Sequence, residues 1–290
     1  MTITQVEHGA RVAGDGLTLA ADVYGDSTGS PVVLAHGGGQ TRHAWGATAL
    51  RLAERGHYAV NVDLRGHGES EWAPDGEYEL EHTAGDLRAV VAQLGRPAAL
   101  VGASLGGISA LVAIAEAPDP AAVGSALVLV DVAPRVEPAG VERITAFMTG
   151  HPDGFGSLEE VADAIAAYNP HRPRPARLDG LRKNLHLRPD GRWIWHWDPK
   201  ILSDRQDEPR VVRNERRLAA AARHLTIPVL IVRGGDSDLL SEDGVRHLRE
   251  LVPHAEVATV RGAGHMVAGD RNDAFNEAIV DFLDRAVRAG

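Results

Sequence analysis

Residues Ala98 to Gly107 read AALVGASLGG, and this stretch decides the fold. The apolar run Ala98 to Val101 leads into Gly102-Ala103-Ser104-Leu105-Gly106, after which Ile108, Leu111, Val112 and Ala115 recur at i, i+3, i+4 and i+7. The first part suits a strand covered on both faces, and the last a helix with one buried stripe whose end Pro118 marks. A Gly-x-Ser-x-Gly placed between strand and helix forms a sharp turn that lifts the serine hydroxyl above the sheet. The small residues on either side let the two elements approach closely. The helix N-terminus also favours developing negative charge. A phosphate-binding loop needs a Gly-Lys-Ser/Thr ending, but Gly106-Gly107-Ile108 stands here. A glycine-rich turn that merely packs is the bland alternative, and the strand and helix on either side weigh against it.

Outward from this turn, further short apolar runs appear at Val32 to Ala35, Tyr58 to Val62, Ala126 to Val130 and Val229 to Val232, with helically spaced segments between them. That alternation predicts an α/β class with a mostly parallel sheet covered by helices. A last helix is expected with Asp270 as N-cap, Asp273 in its first turn and Phe275, Ile279, Phe282 and Leu283 on its apolar face. Between residues 135 and 225 the strand rhythm stops and Pro- and Arg-rich text (NPHRPRPAR, residues 169–177) and an aromatic run (RWIWHW, residues 192–197) take over. This segment is expected to be a cap inserted into a core formed by residues 1–134 and 226–290.

Composition narrows the function. At 290 residues the chain is long enough for one large core plus an insertion. A formal net charge of −10 disfavours broad nucleic-acid binding, which relies on clustered Lys and Arg. With no cysteine, disulfides, thiolate metal sites and a cysteine nucleophile are excluded. No stretch approaches the roughly 20 apolar residues of a membrane span, and the N-terminal text lacks a cationic start followed by an apolar run. The expectation is a cytoplasmic protein that acts on a small molecule.

Serine alone is a poor nucleophile, so a base must lie within hydrogen-bond reach and a third group must orient that base. In this architecture the expected chain order is serine, acid, histidine. His265 is the candidate base: it sits in Arg261-Gly-Ala-Gly-His265, after the alternation of Val257 and Val260, where Gly262 and Gly264 free the loop to turn back over the sheet. The acid is sought after Val229 to Val232, where Asp236 and Asp238 stand two residues apart. A strand ending near Arg233 needs the Gly234-Gly235 turn before the chain can reach toward the histidine loop. This favours Asp238 and makes Asp236 a turn-former. Asp131, at the end of Ala126 to Val130, is the next candidate. Preorganised N–H donors for an oxyanion are expected from His36-Gly37-Gly38-Gly39, most directly at Gly38, and from Leu105.

Four blocks now stand in order: HGGG at residues 36–39, DLRGHGES at 63–70, GASLGG at 102–107, and the Asp238 and His265 loops. Together they resemble the α/β-hydrolase superfamily. The resemblance implies an eight-stranded, mostly parallel sheet with a helical cap after the sixth strand, a triad of Ser104, Asp238 and His265, and no cofactor. The family's spacing, with the acid three residues after the glycine closing its strand, also points from Gly235 to Asp238. Arg65 and His67 of the second block are read as shaping the surroundings of the site. A serine at the elbow implies acyl chemistry on a carboxylic ester or lactone, with carbon–carbon bond hydrolysis, peracid formation or a non-catalytic sensor as alternatives; an aspartate there would be needed to open epoxides. The pocket is expected to draw on His36, Gly37, Trp45, Tyr168, Trp193, Trp195 and Trp197. The three alternating tryptophans face one side if that segment is extended. His43 flanks the site by proximity, and Arg172, Arg174 and Arg177 form a basic loop.

Overall fold

A computed structural model of the chain describes residues 5–170, 174, 177–203, 210–265 and 272–288. The main sheet contains β1 (Val6–Ala13), β2 (Thr18–Tyr24), β3 (Ser30–Ala35), β4 (His57–Val62), β5 (Ala98–Ala103) and β6 (Gly124–Val130). After a two-stranded hairpin, β7 (Leu185–Leu187) and β8 (Trp193–Trp195), it is completed by β9 (Val229–Gly234) and β10 (Glu256–Val260). Its order is β1-β2-β4-β3-β5-β6-β9-β10. Within this sheet β1–β2 and β2–β4 pair antiparallel and the other described neighbours pair parallel.

The helices are α1 (Gly46–Glu54), α2 (Leu80–Leu94), α3 (Leu105–Ala115), α4 (Pro120–Val123), α5 (Pro138–Thr149), α6 (Leu158–Tyr168), α7 (Arg210–Ala222), α8 (Glu242–Leu251) and α9 (Asn272–Arg288). Successive strand residues feed opposite faces. Val33, Leu100, Leu127 and Ile231 pack with α2, α3, α7 and α8, whereas Leu34, Val101, Val128 and Val232 pack with α1 and with Phe275, Ile279 and Phe282 of α9. This is why the inner strands read as continuous apolar runs. α3 departs from the expected single stripe: Ser109, Ala110 and Ala113 are buried as well as Leu111 and Val112. Its small residues let it lie under neighbours on several sides. The N-cap expected at Asp270 lies outside the described residues.

Residues between β6 and β9 form α5, α6, the β7–β8 hairpin and α7. α6 begins with a reciprocal cap in which Ser157 Oγ accepts the Glu160 N–H at 3.2 Å and Glu160 Oε2 accepts the Gly156 N–H at 2.8 Å. The hairpin makes Trp193–Trp195 extended, although the strand rhythm of the main sheet stops in this segment. It carries Trp195 into an apolar cluster with Met148, Phe155, Trp197, Tyr78 and Ile201. α7, by contrast, sends Leu218, Ala221 and Ala222 into the main core. No helix of the described residues is long and apolar enough to cross a membrane.

Candidate active site

β5 ends at Ala103 and α3 begins at Leu105, leaving Ser104 alone at the corner with φ 45° and ψ −114°. That conformation is rare and strained for an L side chain. The flanking glycines are required by contact. A Cβ on Gly102 would lie 2.3 Å from the Gly106 carbonyl carbon, and one on Gly106 would lie 2.4 Å from the Ala35 oxygen. The elbow therefore presses against the end of β3, where Gly106 N–H donates to the His36 carbonyl at 3.1 Å.

This contact brings the HGGG loop beside the serine: a Cβ on Gly37 would stand 3.4 Å from Ser104 Cβ. The loop's amides have different fates. Gly37 N–H donates to Gln40 Oε1 at 3.0 Å, and Gly39 N–H donates to His67 Nε2 at 3.1 Å. The N–H groups of Gly38 and Leu105 have no acceptor among the described residues. Met148 Sδ and Leu105 Cδ2 both lie 4.0 Å from where a Gly38 Cβ would be, and Trp197 Cζ3 lies 3.4 Å from the Gly39 position. Met148 of α5 and Trp197, both from the segment between β6 and β9, thus cover this loop with apolar atoms.

His265 follows β10 on a turn tied to the loop after β9, where Asp236 N–H donates to the Ala263 carbonyl at 2.9 Å. Its Nδ1 lies 2.7 Å from Asp131 Oδ2. An ionised carboxylate only accepts, so Nδ1 carries the proton and Nε2 is left as the basic nitrogen. Asp131 is fully buried at the end of β6, with φ 51°. Its own N–H donates to the Val232 carbonyl at 2.8 Å, while its Oδ1 accepts from Gly234 N–H at 2.9 Å and its Oδ2 also accepts from Ser237 Oγ at 2.5 Å.

The expectation for Asp238 is corrected by this arrangement. Asp238 is exposed and pairs with Arg143 of α5, whose guanidinium also reaches the Tyr168 carbonyl. Past Gly235 the chain turns Ser237 inward and leaves Asp236 and Asp238 at the surface, so neither aspartate meets the histidine. The signal for Asp131 lay in its place directly after a buried strand.

Trp45 is a second correction. The short 3-10 turn Arg42–Trp45 rotates it into the core, 1% exposed, with its ring centroid 5.7 Å from that of Phe275. Trp195 and Trp197 stack at 4.9 Å with a 12° interplanar angle, whereas Trp193 lies under the Arg182 guanidinium at 4.9 Å. Tyr168 stacks on Phe147 at 4.3 Å. Of the basic loop, Arg174 pairs with Asp163 and Arg172 lies outside the described residues.

The DLRGHGES block scaffolds the site. Buried Arg65 grips Asp86 at 2.6 and 2.8 Å and also donates to the carbonyls of Asp15 and Glu77. Buried Arg42 meets Asp22, Asp63 and Glu69. Among the described residues, no group of three or more His, Cys, Asp or Glu side chains is arranged to hold a metal ion.

Behind the HGGG loop, three histidines use an unprotonated ring nitrogen as acceptor: His36 Nε2 for Leu64 N–H (3.0 Å), His67 Nε2 for Gly39 N–H (3.1 Å) and His196 Nδ1 for Gly68 N–H (2.6 Å). Burial pushes their pKa values down, His36 to about 4, His67 to about 3 and His196 to about 2, with neighbouring His36 adding to the effect at His67 and both His67 and His36 adding at His196. The unfolded chain binds protons near pH 6.5 that the folded chain refuses, so stability is full above that pH and falls below it. The slope approaches about 1.4 kcal/mol per pH unit for each histidine. Urea unfolding at pH 7.5, 6.0 and 4.5 is expected to show this loss; equal stability across the series contradicts it.

A model of the alpha/beta hydrolase family matches residues 32–278. An esterase of Mycobacterium tuberculosis is 32% identical over 260 residues, 87% of this chain and 82% of that protein. The 2-(acetamidomethylene)succinate hydrolase of Mesorhizobium japonicum is 28% identical over 269 residues, 92% of each chain. Among solved structures, an E-2-(acetamidomethylene)succinate hydrolase superposes with a TM-score of 0.81 at 27% identity, covering 97% of this chain and 100% of that one. The M. tuberculosis esterase superposes with a TM-score of 0.76 at 30% identity, covering 98% of this chain and 93% of that one.

Proposed function

The chain belongs to the alpha/beta hydrolase family, and from that premise we propose that it is a serine hydrolase that cleaves small carboxylic esters or lactones through an acyl-enzyme, with Ser104, His265 and Asp131 as its triad. Ser104 Oγ attacks the carbonyl carbon while His265 Nε2 takes its proton. Asp131 holds the imidazole in the required tautomer and stabilises the imidazolium that forms. The carbonyl oxygen, now negative, takes the two free amides of Gly38 and Leu105. Collapse expels the alcohol with the proton from His265, and water then repeats the sequence in reverse on the acyl-enzyme.

The observation that carries this reading is the conjunction of a strained serine at a strand-to-helix corner with a histidine whose Nδ1 is 2.7 Å from a buried carboxylate. The esterase relative supports the ester class. Met148 and Trp197, which cover the HGGG loop, favour an uncharged, apolar acyl group at the carbonyl. Short p-nitrophenyl esters are expected to turn over, while styrene oxide and haloalkanes stay inert because their opening by this fold needs a carboxylate nucleophile. Epoxide opening that survives Ser104→Ala overturns the reading.

A further inference from the structure

The loop after β9, in which the acid was sought, supplies a serine to the acid. Ser237 Oγ lies 2.5 Å from Asp131 Oδ2, the same oxygen that faces His265 Nδ1 at 2.7 Å. Ser237 Oγ also accepts the N–H groups of Leu239 and Leu240, both at 3.1 Å. With both lone pairs occupied, the hydroxyl has its proton left for one direction, toward Asp131. Its backbone is fixed as well, since Ser237 N–H donates to the Gly234 carbonyl at 3.1 Å. Among the described residues of these loops, Arg233 Nε donates to the Leu240 carbonyl, Asp238 pairs with Arg143, Arg135 pairs with Glu215, and Asp236 and Arg261 are exposed.

We infer that Ser237 is a positioning residue, which orients the Asp131 carboxylate and sets how strongly it draws on the His265 Nδ1 proton. A carboxylate oxygen with two donors shares its charge between them. Removing the hydroxyl leaves Oδ2 to the imidazole alone, which stabilises the imidazolium and raises the pH at which the base becomes free. It also removes one of the contacts that fix the plane of the carboxylate. The inference rests on the proposed triad.

The test compares Ser237→Ala and Ser237→Thr with wild type in three readouts: the pH profile of kcat/KM on a p-nitrophenyl ester, the split between kcat and KM, and the far-downfield proton resonance of the His265–Asp131 hydrogen bond. In the alanine variant kcat is expected to fall about tenfold with KM nearly unchanged, because the loosened carboxylate holds the imidazole less firmly in line with Ser104 and this misplacement outweighs the stronger draw on the proton. The midpoint of the pH profile is expected to move upward, the proton resonance to shift, and threonine to restore all three. An alanine variant with reduced thermal stability but an unmoved pH midpoint and proton resonance overturns the inference, since a merely structural serine behaves so. If wild type turns over no ester, the function fails. The resonance, which needs no turnover, then decides this inference by itself.

Discussion

Asp131→Asn is expected to lower kcat by about 10⁴, as loss of the orienting acid does in serine proteases, while Asp238→Asn stays within about threefold of wild type. The contrast follows from position. The buried Asp131 faces the His265 ring nitrogen at 2.7 Å. An amide there presents an N–H to that nitrogen in place of an acceptor, and the imidazole turns to the wrong tautomer. Asp238 shares an exposed ion pair with Arg143, and such pairs contribute about 0–1 kcal/mol. Both variants are checked for folding by circular dichroism and then assayed on the same ester. A dead Asp238→Asn beside an active Asp131→Asn reverses the assignment.

Removing the nucleophile has the largest expected effect, and it separates activity from stability. Ser104→Ala is expected to lower kcat by about 10⁶, the scale on which serine hydrolases respond to loss of the attacking hydroxyl. Ser104→Gly is expected to be equally inactive yet more stable. Its backbone at φ 45° and ψ −114° costs about 1–3 kcal/mol for an L residue and little for glycine, whose greater unfolded-state entropy takes back about 0.5–1 kcal/mol. A net gain of about 1 kcal/mol corresponds to a rise in Tm of roughly 1.5–2 °C for a chain of 290 residues. A glycine variant less stable than alanine contradicts the strain argument.

The elbow was legible because its chemistry is local. Gly102, Ser104 and Gly106 must stand together for strand and helix to pack at 2.3–2.4 Å from any added Cβ, and the apolar runs on either side declare themselves without tertiary information. The parallel core was legible for a similar reason, as strands buried on both faces have no polar alternation to confuse them. Asp131 was not. β6 and β9 end side by side, with Asp131 N–H on the Val232 carbonyl and Gly234 N–H on the Asp131 carboxylate, so two carboxylate-bearing loops distant in sequence reach the same place. Which of them turns inward depends on the backbone at Asp131, whose φ of 51° residue type alone does not specify. Trp45 failed in the opposite way: it is close to the HGGG motif in sequence, but a single 3-10 turn sends it into the core against Phe275. Alternation could not separate the tryptophans of residues 193–197 either: Trp195 and Trp197 stack in one apolar cluster, Trp197 also reaches the HGGG loop, and Trp193 lies apart under Arg182.

The central claim is that Ser104 is an activated nucleophile, and covalent labelling tests it most directly. A fluorophosphonate presents phosphorus to an activated serine as an ester presents its carbonyl, and the adduct persists. Intact mass of the treated protein is expected to show one adduct per chain, assigned by peptide mapping to Ser104, absent from Ser104→Ala and strongly slowed in His265→Ala. No adduct on wild type, or an adduct retained in Ser104→Ala, contradicts the account.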